Sequence, residues 1–206
     1  MTGKLSFLAN EHEIQFPNLY PKKLEEGIKQ VPTFITKILK YLEKEGTKKE
    51  GIFRISPENN KLSIFETQLN SNLDQFELPD DPHIAATVLK RWLQCFDPPI
   101  CGNNLRYQKI ISSIKNDKFS ELNKTLSDFS SIKKSILHQL VTTLRSFLDP
   151  LVVSQTKMDA KNISVILAPT ILADFNLDQN QTLDNNNYEK DFFLYLLLVL
   201  DLSLLK

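Results

Sequence analysis

The chain has 206 residues, of which 41% are hydrophobic, and this size and composition fit one compact domain with a core of its own. Lysine plus arginine and aspartate plus glutamate each total 25, so the chain has no overall positive charge to hold a nucleic acid backbone, and nucleic acid is not an expected partner. The two cysteines, Cys95 and Cys101, are too few for a disulfide framework or a zinc site. They favour a reducing, cytoplasmic location.

No targeting or membrane-spanning segment is indicated by the sequence pattern. The amino-terminal residues lack the long apolar stretch of a secretory signal and the arginine-rich pattern of a transit peptide. The most apolar run, residues 192–200, is broken by Asp201 and is much shorter than the roughly 20 residues that a membrane span needs. We interpret this run as a buried terminal helix.

Helical periodicity dominates the chain from residue 31 onwards. In "VPTFITKILKYLEKEG", residues 31–46, apolar side chains recur at steps of three and four, with Pro32 suited to the first turn and Gly46 to the carboxyl-terminal cap. A second helix is predicted to begin with Ser56 as its cap and Pro57 as its first residue.

The third helix is predicted to have Asp81 as its cap and Pro82 as its first residue, and to run to Phe96. The segment 174–191 is rich in Asn and Asp, and we predict that it is a long surface loop. No strand pattern of period two is present. We therefore predict an all-α fold, a single helical domain built around a bundle of about eight to nine helices. The further helices are expected at residues 104–115, 119–128, 131–148, 159–167 and 189–205.

The sequence offers no self-contained catalytic chemistry. Residues 46–51, "GTKKEG", begin like a phosphate-binding loop, but Ile52 and Phe53 follow where Lys and Ser or Thr are needed. The histidines lie far apart without metal-ligand spacing, and no G-x-S-x-G nucleophile elbow is present. We therefore do not expect an autonomous enzyme.

One arginine, Arg54, lies in an apolar patch just before the second predicted helix. Taken alone, it is most simply a surface cation that pairs with Glu50 or Glu58. Three sequence blocks change this interpretation: "GIFRIS" at 51–56, "HIAATVLKRWLQCFDPPI" at 83–100 and "NISVILAPTIL" at 162–172. In this order and at these distances, they resemble the RhoGAP family, whose domain accelerates GTP hydrolysis by Rho-type small GTPases.

The resemblance assigns roles to five residues. Arg54 corresponds to the arginine finger of the family, and Lys90 to the lysine of its second block. Gln94 stands where the family pattern has arginine, and it lacks the positive charge and the bidentate fork that favour docking on an acidic GTPase surface. Asn162 corresponds to the first asparagine of the third block, and Thr170 replaces a later asparagine with a single hydroxyl.

For two of these residues, other roles remain open. Lys90 follows Leu89 on its helix, and it is expected to hydrogen-bond the Arg54 loop, to meet a partner, or simply to be solvated. Asn162 is open between a partner contact and a structural role as a helix cap or a donor to a carbonyl.

The resemblance covers nearly the whole chain and implies an N-terminal extension at residues 1–20 followed by a RhoGAP-like domain at 21–206. It implies a GTPase activator that supplies Arg54 in trans to a Rho-family small GTPase in its GTP-bound form. GTP and Mg²⁺ would be held by the partner, so no cofactor is expected here. Membrane recruitment is expected only through other modules. The alternative is a RhoGAP-like module that binds a small GTPase or a scaffold without activating it.

Overall fold

The computed structural model describes residues 16, 18–24, 28–102, 104–174, 177 and 179–206, with the side chains of 179–183 excepted. Within these residues the chain forms nine α-helices and no strand, which confirms the all-α prediction. Short 3₁₀ turns follow three of the helices, at Gly46–Lys48, Ser146–Leu148 and Leu202–Leu205. The helices are α1 Thr33–Lys44, α2 Asn59–Ser71, α3 Pro82–Gln94, α4 Asn104–Lys115, α5 Phe119–Ser127, α6 Ser131–Arg145, α7 Pro150–Thr156, α8 Ala160–Ile171 and α9 Gln179–Leu198.

Helix α3 lies at the centre of the packing and contacts α1, α2 and α8. Its Trp92 is fully buried and meets the rings of Phe34 and Phe96 edge to face, at centroid distances of 6.3 and 5.0 Å. Such perpendicular ring pairs add to the free energy gained by burying the aromatic surface. Helix α3 is therefore a rigid support for the side chains that it carries at its surface.

The proline and aspartate signals at the start of α3 have the predicted roles. Asp81 is the N-cap, its carboxylate accepts from the backbone N–H of His83 at 3.0 Å, and Pro82 is the first helical residue. At α1 the predicted ends shift by one position, since Pro32 is the N-cap and Glu45 the C-cap. Gly46 instead begins the 3₁₀ turn.

In the second half of the chain one helix was missed and one predicted loop was wrong. The helix α7, Pro150–Thr156, was not predicted, although Asp149 and Pro150 repeat the cap and first-residue signal of α3. The predicted loop 174–191 is helical from residue 179, so α9 begins ten residues before its expected start at 189. Near its middle α9 is attached to the domain by Glu189, which accepts a hydrogen bond from Tyr107 of α4 at 2.6 Å.

Most of the terminal apolar run is buried as predicted, but Leu194 is half-buried and two residues are exposed. Phe192, Phe193 and Leu196 are fully buried, whereas Leu198 and Val199 are 60% and 65% exposed. None of the described helices combines the length and the apolar character that crossing a bilayer requires.

The described residues that precede the predicted domain boundary at 21 belong to the same core. Leu19 and Tyr20 are buried, and the Tyr20 hydroxyl donates to the buried Glu66 carboxylate of α2 at 2.5 Å. Arg91 of α3 donates to the same oxygen at 2.5 Å. The segment ending at Tyr20 is therefore attached to both α2 and α3.

Candidate functional site

The turn that carries Arg54, residues 51–55, is named the Arg54 loop here. It begins at Gly51, whose φ of +65° lies in the left-handed region, and a Cβ added there would lie 2.5 Å from the Ile55 side chain. The Gly51 carbonyl accepts from the N–H groups of both Arg54 and Ile55 at 2.9 Å. The Gly51 N–H donates to the carbonyl of Thr156 at 2.7 Å. The loop is therefore a tight turn attached to the end of α7.

Phe53 fixes the residue just before the arginine. Its φ of +67° is a costly conformation for a side chain other than glycine, so surrounding contacts must hold it there. The ring is 1% exposed and packs edge to face on Phe147 with centroids 5.3 Å apart. The carbonyl of Phe53 accepts from the Lys90 ammonium at 2.5 Å. Both the side chain and the backbone of Phe53 are thereby held against the domain.

Arg54 itself is exposed, and its side chain is not held against the domain as the Phe53 ring is. The sequence contains four arginines. Arg91 is paired with Glu66, Arg145 donates to three backbone carbonyls near the end of α9, and Arg106 lies over the Phe129 ring at 5.0 Å. Within the described part of the chain, the Arg54 guanidinium alone among the four has no hydrogen bond, ion pair or ring contact.

The simplest alternative for Arg54, an ion pair with Glu50 or Glu58, is absent from the described residues. Glu58 pairs instead with Lys61 at 3.1 Å. Glu58 is also the N-cap of α2, so the prediction that Ser56 caps this helix and that Pro57 opens it was wrong. The first helical hydrogen bond of α2 runs from Leu62 to the Glu58 carbonyl, which leaves Ser56 and Pro57 in the connection after the Arg54 loop.

Three roles were considered for Lys90, and the structure shows one of them: its ammonium group hydrogen-bonds the Arg54 loop. Burial lowers the pKa of Lys90, and the neighbouring Arg91 lowers it further. Burial also lowers the pKa of His83; the Asp81 carboxylate opposes this, and Lys49 and Lys90 add smaller effects in the lowering direction. Lys90 therefore donates to the Phe53 carbonyl from a partly desolvated place in which the neighbouring Arg91 also disfavours its charged form.

Asn162 is linked to the Arg54 loop through the turn between α7 and α8. Its side-chain amide donates to the Lys157 carbonyl at 3.2 Å, and its backbone N–H donates to the Asp159 cap at 2.7 Å. Lys157 directly follows Thr156, whose carbonyl holds Gly51. The structural role weighed for Asn162, a donor to a carbonyl, is thus present, while the residue remains exposed to a partner.

The other two residues from the resemblance lie in different surroundings. Gln94 is the last residue of α3 and is partly exposed. Thr170 is 2% exposed, and its hydroxyl donates to the Leu167 carbonyl at 2.6 Å within α8. In this conformation Thr170 presents no hydroxyl at the surface, so a direct contact with a partner stays a prediction that the geometry does not favour.

Two exposed aliphatic residues near this site were not predicted as functional. Ile55, next to Arg54, is 45% exposed, and Val165, one turn after Asn162 on α8, is 61% exposed. A spacing of three residues puts Val165 on the same helix face as Asn162. That spacing was the available signal, but an isolated exposed aliphatic side chain is common on protein surfaces.

Several curated proteins are similar in sequence to this chain. It is 31% identical over 157 residues to the Rho GTPase-activating protein gacN of Dictyostelium discoideum, covering 73% of this chain and 25% of that protein. It is 26% identical over 220 residues to gacI of the same organism, covering 82% of this chain and 27% of gacI. It is 25% identical over 156 residues to unconventional myosin-IXa of Rattus norvegicus, covering 73% of this chain and 6% of that protein. The chain thus spans about a quarter or less of these relatives.

Solved structures share the fold. The BH domain from Graf, the GTPase regulator associated with focal adhesion kinase, superposes with a TM-score of 0.70 at 18% identity, covering 80% of this chain and 89% of that one. Human Rho GTPase activating protein 15 gives a TM-score of 0.71 at 18% identity, covering 81% and 80%. The family model described as "RhoGAP domain" matches residues 32–176, well over half of the sequence. The chain therefore belongs to the RhoGAP domain family.

Proposed function

We propose that this protein stimulates GTP hydrolysis by a Rho-type small GTPase by inserting Arg54 into the nucleotide site of its partner. The single observation that carries this proposal is the contrast between a fixed backbone and a free guanidinium. The residues before and after Arg54 are held by hydrogen bonds and a buried ring, whereas the Arg54 guanidinium has no hydrogen bond, ion pair or ring contact with the described residues. The membership of the RhoGAP domain family and the similarity to Rho GTPase-activating proteins of Dictyostelium discoideum support the same function.

The chemistry of the partner explains why such an arginine is useful. In GTP hydrolysis, negative charge spreads over the transferring phosphoryl group and the leaving oxygen, so a cation delivered to that place lowers the barrier. Arginine fingers accelerate hydrolysis by about 10³ to 10⁵, which corresponds to roughly 4 to 7 kcal/mol. A lysine cannot replace the planar guanidinium fully, because the fork contacts two oxygens at once.

The Arg54 loop reduces the entropic cost of this insertion. A catalytic group contributes most when its backbone is positioned before the encounter and only side-chain torsions remain to be fixed. Gly51 is held by Thr156, and Phe53 by Phe147 and Lys90, so the loop presents its arginine without a backbone rearrangement.

The remaining parts of the reaction belong to the partner. The GTPase would hold GTP and Mg²⁺ and orient the attacking water, while this domain supplies Arg54 and contacts the switch regions. Ile55, Asn162 and Val165 are exposed residues suited to that contact. Gln94 lacks the charge of the family's arginine, so we expect slower docking on an acidic surface than in members that keep it.

Single-turnover GTP hydrolysis tests the proposal. We expect the chain to accelerate hydrolysis by at least one member of a panel of Rho-, Rac- and Cdc42-like GTPases. Arg54→Ala should reduce the accelerated rate at least about 10²-fold while binding to the GTP-loaded partner persists, because the finger acts mainly in the transition state. Lys109→Ala, which removes an exposed cation on α4, is the matched control and should leave the rate unchanged.

The outcome separates the proposal from its alternative. If Arg54→Ala stimulates hydrolysis as well as the wild-type chain, Arg54 is not the finger. If no GTPase is stimulated but one binds the wild-type chain in its GTP form, the domain is a binding module without activity.

A further inference from the structure

A shallow groove of about 280 Å³ lies where the end of α4, the start of α5 and the end of α9 meet, and it is named the α9 groove here. Its apolar surface includes Phe119, Leu198 and Val199, which are 42%, 60% and 65% exposed. Asp117 and Asp191 also line it. An exposed apolar patch bordered by polar groups is typical of an interaction surface.

The apolar part of the α9 groove has a fixed shape. The ring of Phe119 stacks on Tyr195 with an interplanar angle of 3° and centroids 5.2 Å apart. The Tyr195 hydroxyl donates to the Asn123 side chain at 2.5 Å, and this hydrogen bond holds the Tyr195 ring in place. The groove is therefore organised before any partner arrives, which lowers the cost of binding.

The end of α9 is also fixed, although it is a helix terminus. Arg145 of α6 donates to the carbonyls of Leu196, Leu197 and Leu200 at distances of 3.1, 2.9 and 2.6 Å. These bonds satisfy carbonyls that a helix end otherwise leaves open. The outward position of Leu198 and Val199 between them is thus a feature of the fold rather than of a frayed end.

The two charged residues that line the groove are both acidic. The carboxylates of Asp117 and Asp191 are exposed, and neither has a hydrogen bond or ion pair with the described residues. The nearest lysines in sequence to Asp117 are engaged elsewhere, since Lys115 lies 5.9 Å from the Tyr188 ring and Lys118 pairs with Glu121 at 3.1 Å. Two uncompensated carboxylates beside apolar side chains favour a ligand that is both apolar and cationic.

The geometry points to the α9 groove as a docking site for an amphipathic helical segment of a partner protein, with apolar residues on Phe119, Leu198 and Val199 and Lys or Arg on Asp117 and Asp191. A helix can present both kinds of residue along one face at steps of three and four. An anionic membrane is disfavoured as the occupant, because the two carboxylates would face its negative surface. This inference does not rest on the proposed function, since the groove shares no residue with the Arg54 loop.

The test starts from a displayed library of random peptides of about 12 residues, long enough for three helical turns. Peptides that bind the full chain are selected, and their affinities for it are measured by fluorescence anisotropy. We expect the selected peptides to combine apolar residues at helical spacing with Lys or Arg. Leu198→Glu should weaken their binding at least about tenfold. The double variant Asp117→Asn with Asp191→Asn should weaken it about fivefold and reduce its salt dependence.

Leu105→Glu is the matched control, because Leu105 of α4 is 79% exposed and does not line the groove. It should leave peptide binding unchanged. Circular dichroism checks that each variant is folded. If Leu198→Glu does not fold, the double Asn variant still tests the inference. The inference is overturned if no peptide is selected, if selected peptides lack cationic residues, or if both groove variants bind as well as wild type.

Two further outcomes would replace the partner segment by another occupant. Sedimentation with phosphatidylserine-containing vesicles that Leu198→Glu abolishes would identify a lipid surface. Concentration-dependent dimerisation that the same variant abolishes would identify a second copy of this chain. Either result would overturn the inference of a cationic partner segment.

Discussion

Lys90 is a half-buried cation that contacts the backbone next to Arg54 rather than Arg54 itself. Its ammonium donates to the carbonyl of Phe53, the residue that directly precedes Arg54. Phe53 has a left-handed backbone that only surrounding contacts maintain. We therefore propose that Lys90 is a positioning residue, which would affect stimulated hydrolysis through the backbone that carries Arg54.

This role predicts a specific result for Lys90→Met, which keeps the length of the side chain but removes its charge. The Phe53 carbonyl would lose its partner, at a cost in stability of about 1 to 2 kcal/mol. The stimulated rate of hydrolysis should fall at least about tenfold. Urea unfolding measures the first effect and single-turnover hydrolysis the second.

A double-mutant cycle distinguishes positioning from an independent contribution. If Lys90 acts only through Arg54, the double variant Lys90→Met with Arg54→Ala should be no slower than Arg54→Ala alone. Additive losses in the cycle would contradict the positioning role and would indicate that Lys90 contacts the partner itself.

At the scale of helices, periodicity and caps predicted most of the elements but not all. Helix α4 was predicted with its observed ends, and α3 with its observed cap, because clear apolar spacing and strong terminal residues coincide there. Helix α7 has only seven residues, too few for a period to show, although Asp149 and Pro150 signalled its start. Helix α9 begins in a segment rich in Asn and Asp, which have weak helix preference, and the contact of Glu189 with Tyr107 that packs α9 against α4 is not visible in a local pattern.

The three sequence blocks assign Arg54, Lys90 and Asn162 to the candidate site through a family resemblance, and their roles stay predictions. The hydrogen bonds that connect these residues to the rest of the domain could not be predicted. The bonds from Gly51 to Thr156 and from Asn162 to Lys157 join distant parts of the chain, and no local pattern encodes them. The wrong start of α2 has a similar cause, because Ser56 and Pro57 form a plausible cap by sequence alone.

The buried contact between α9 and α4 predicts a pH dependence of stability. Burial raises the pKa of Glu189, and the hydrogen bond from Tyr107 opposes this only partly. The folded state therefore holds a proton more tightly than the unfolded state. The free energy of unfolding is then highest below the ordinary pKa of a glutamate and falls as pH rises through the raised folded value.

Glu189→Gln tests this dependence, because the amide keeps an oxygen that can accept from Tyr107 but has no charge to desolvate. We expect the variant to be at least as stable as wild type near neutral pH and to lose less stability between mildly acidic and neutral pH. Urea denaturation across this range measures both. Asp184→Asn, which changes an exposed carboxylate on α9, is the control and should keep the wild-type slope. An unchanged slope in Glu189→Gln would contradict the assignment.

At the scale of the whole molecule, the described residues before position 21 are part of what holds the domain together. Phe16, Leu19 and Tyr20 are all buried in the common core. The Tyr20 hydroxyl also shares the carboxylate of Glu66 with Arg91, so one buried group joins the amino-terminal segment to α2 and α3. Removing one of two donors from a buried carboxylate lowers stability, because the charge then loses part of what compensates its burial.

A chain that begins at residue 21 should therefore be much less stable than one that begins at residue 14. Burying each large apolar side chain contributes about 1.5 to 3 kcal/mol, so three of them represent roughly 5 to 9 kcal/mol, which is comparable with the whole stability of many domains. We expect the shorter chain to lose cooperative thermal unfolding or to unfold at least about 10 °C lower, as followed by circular dichroism.

Tyr20→Phe in the longer chain separates the contribution of the hydroxyl from that of apolar burial, and it should lower the free energy of unfolding by only about 1 to 3 kcal/mol. Equal melting temperatures for the two chain lengths would mean that residues 16 to 20 cover the core without stabilising it, and the predicted boundary at 21 would then describe the stable unit.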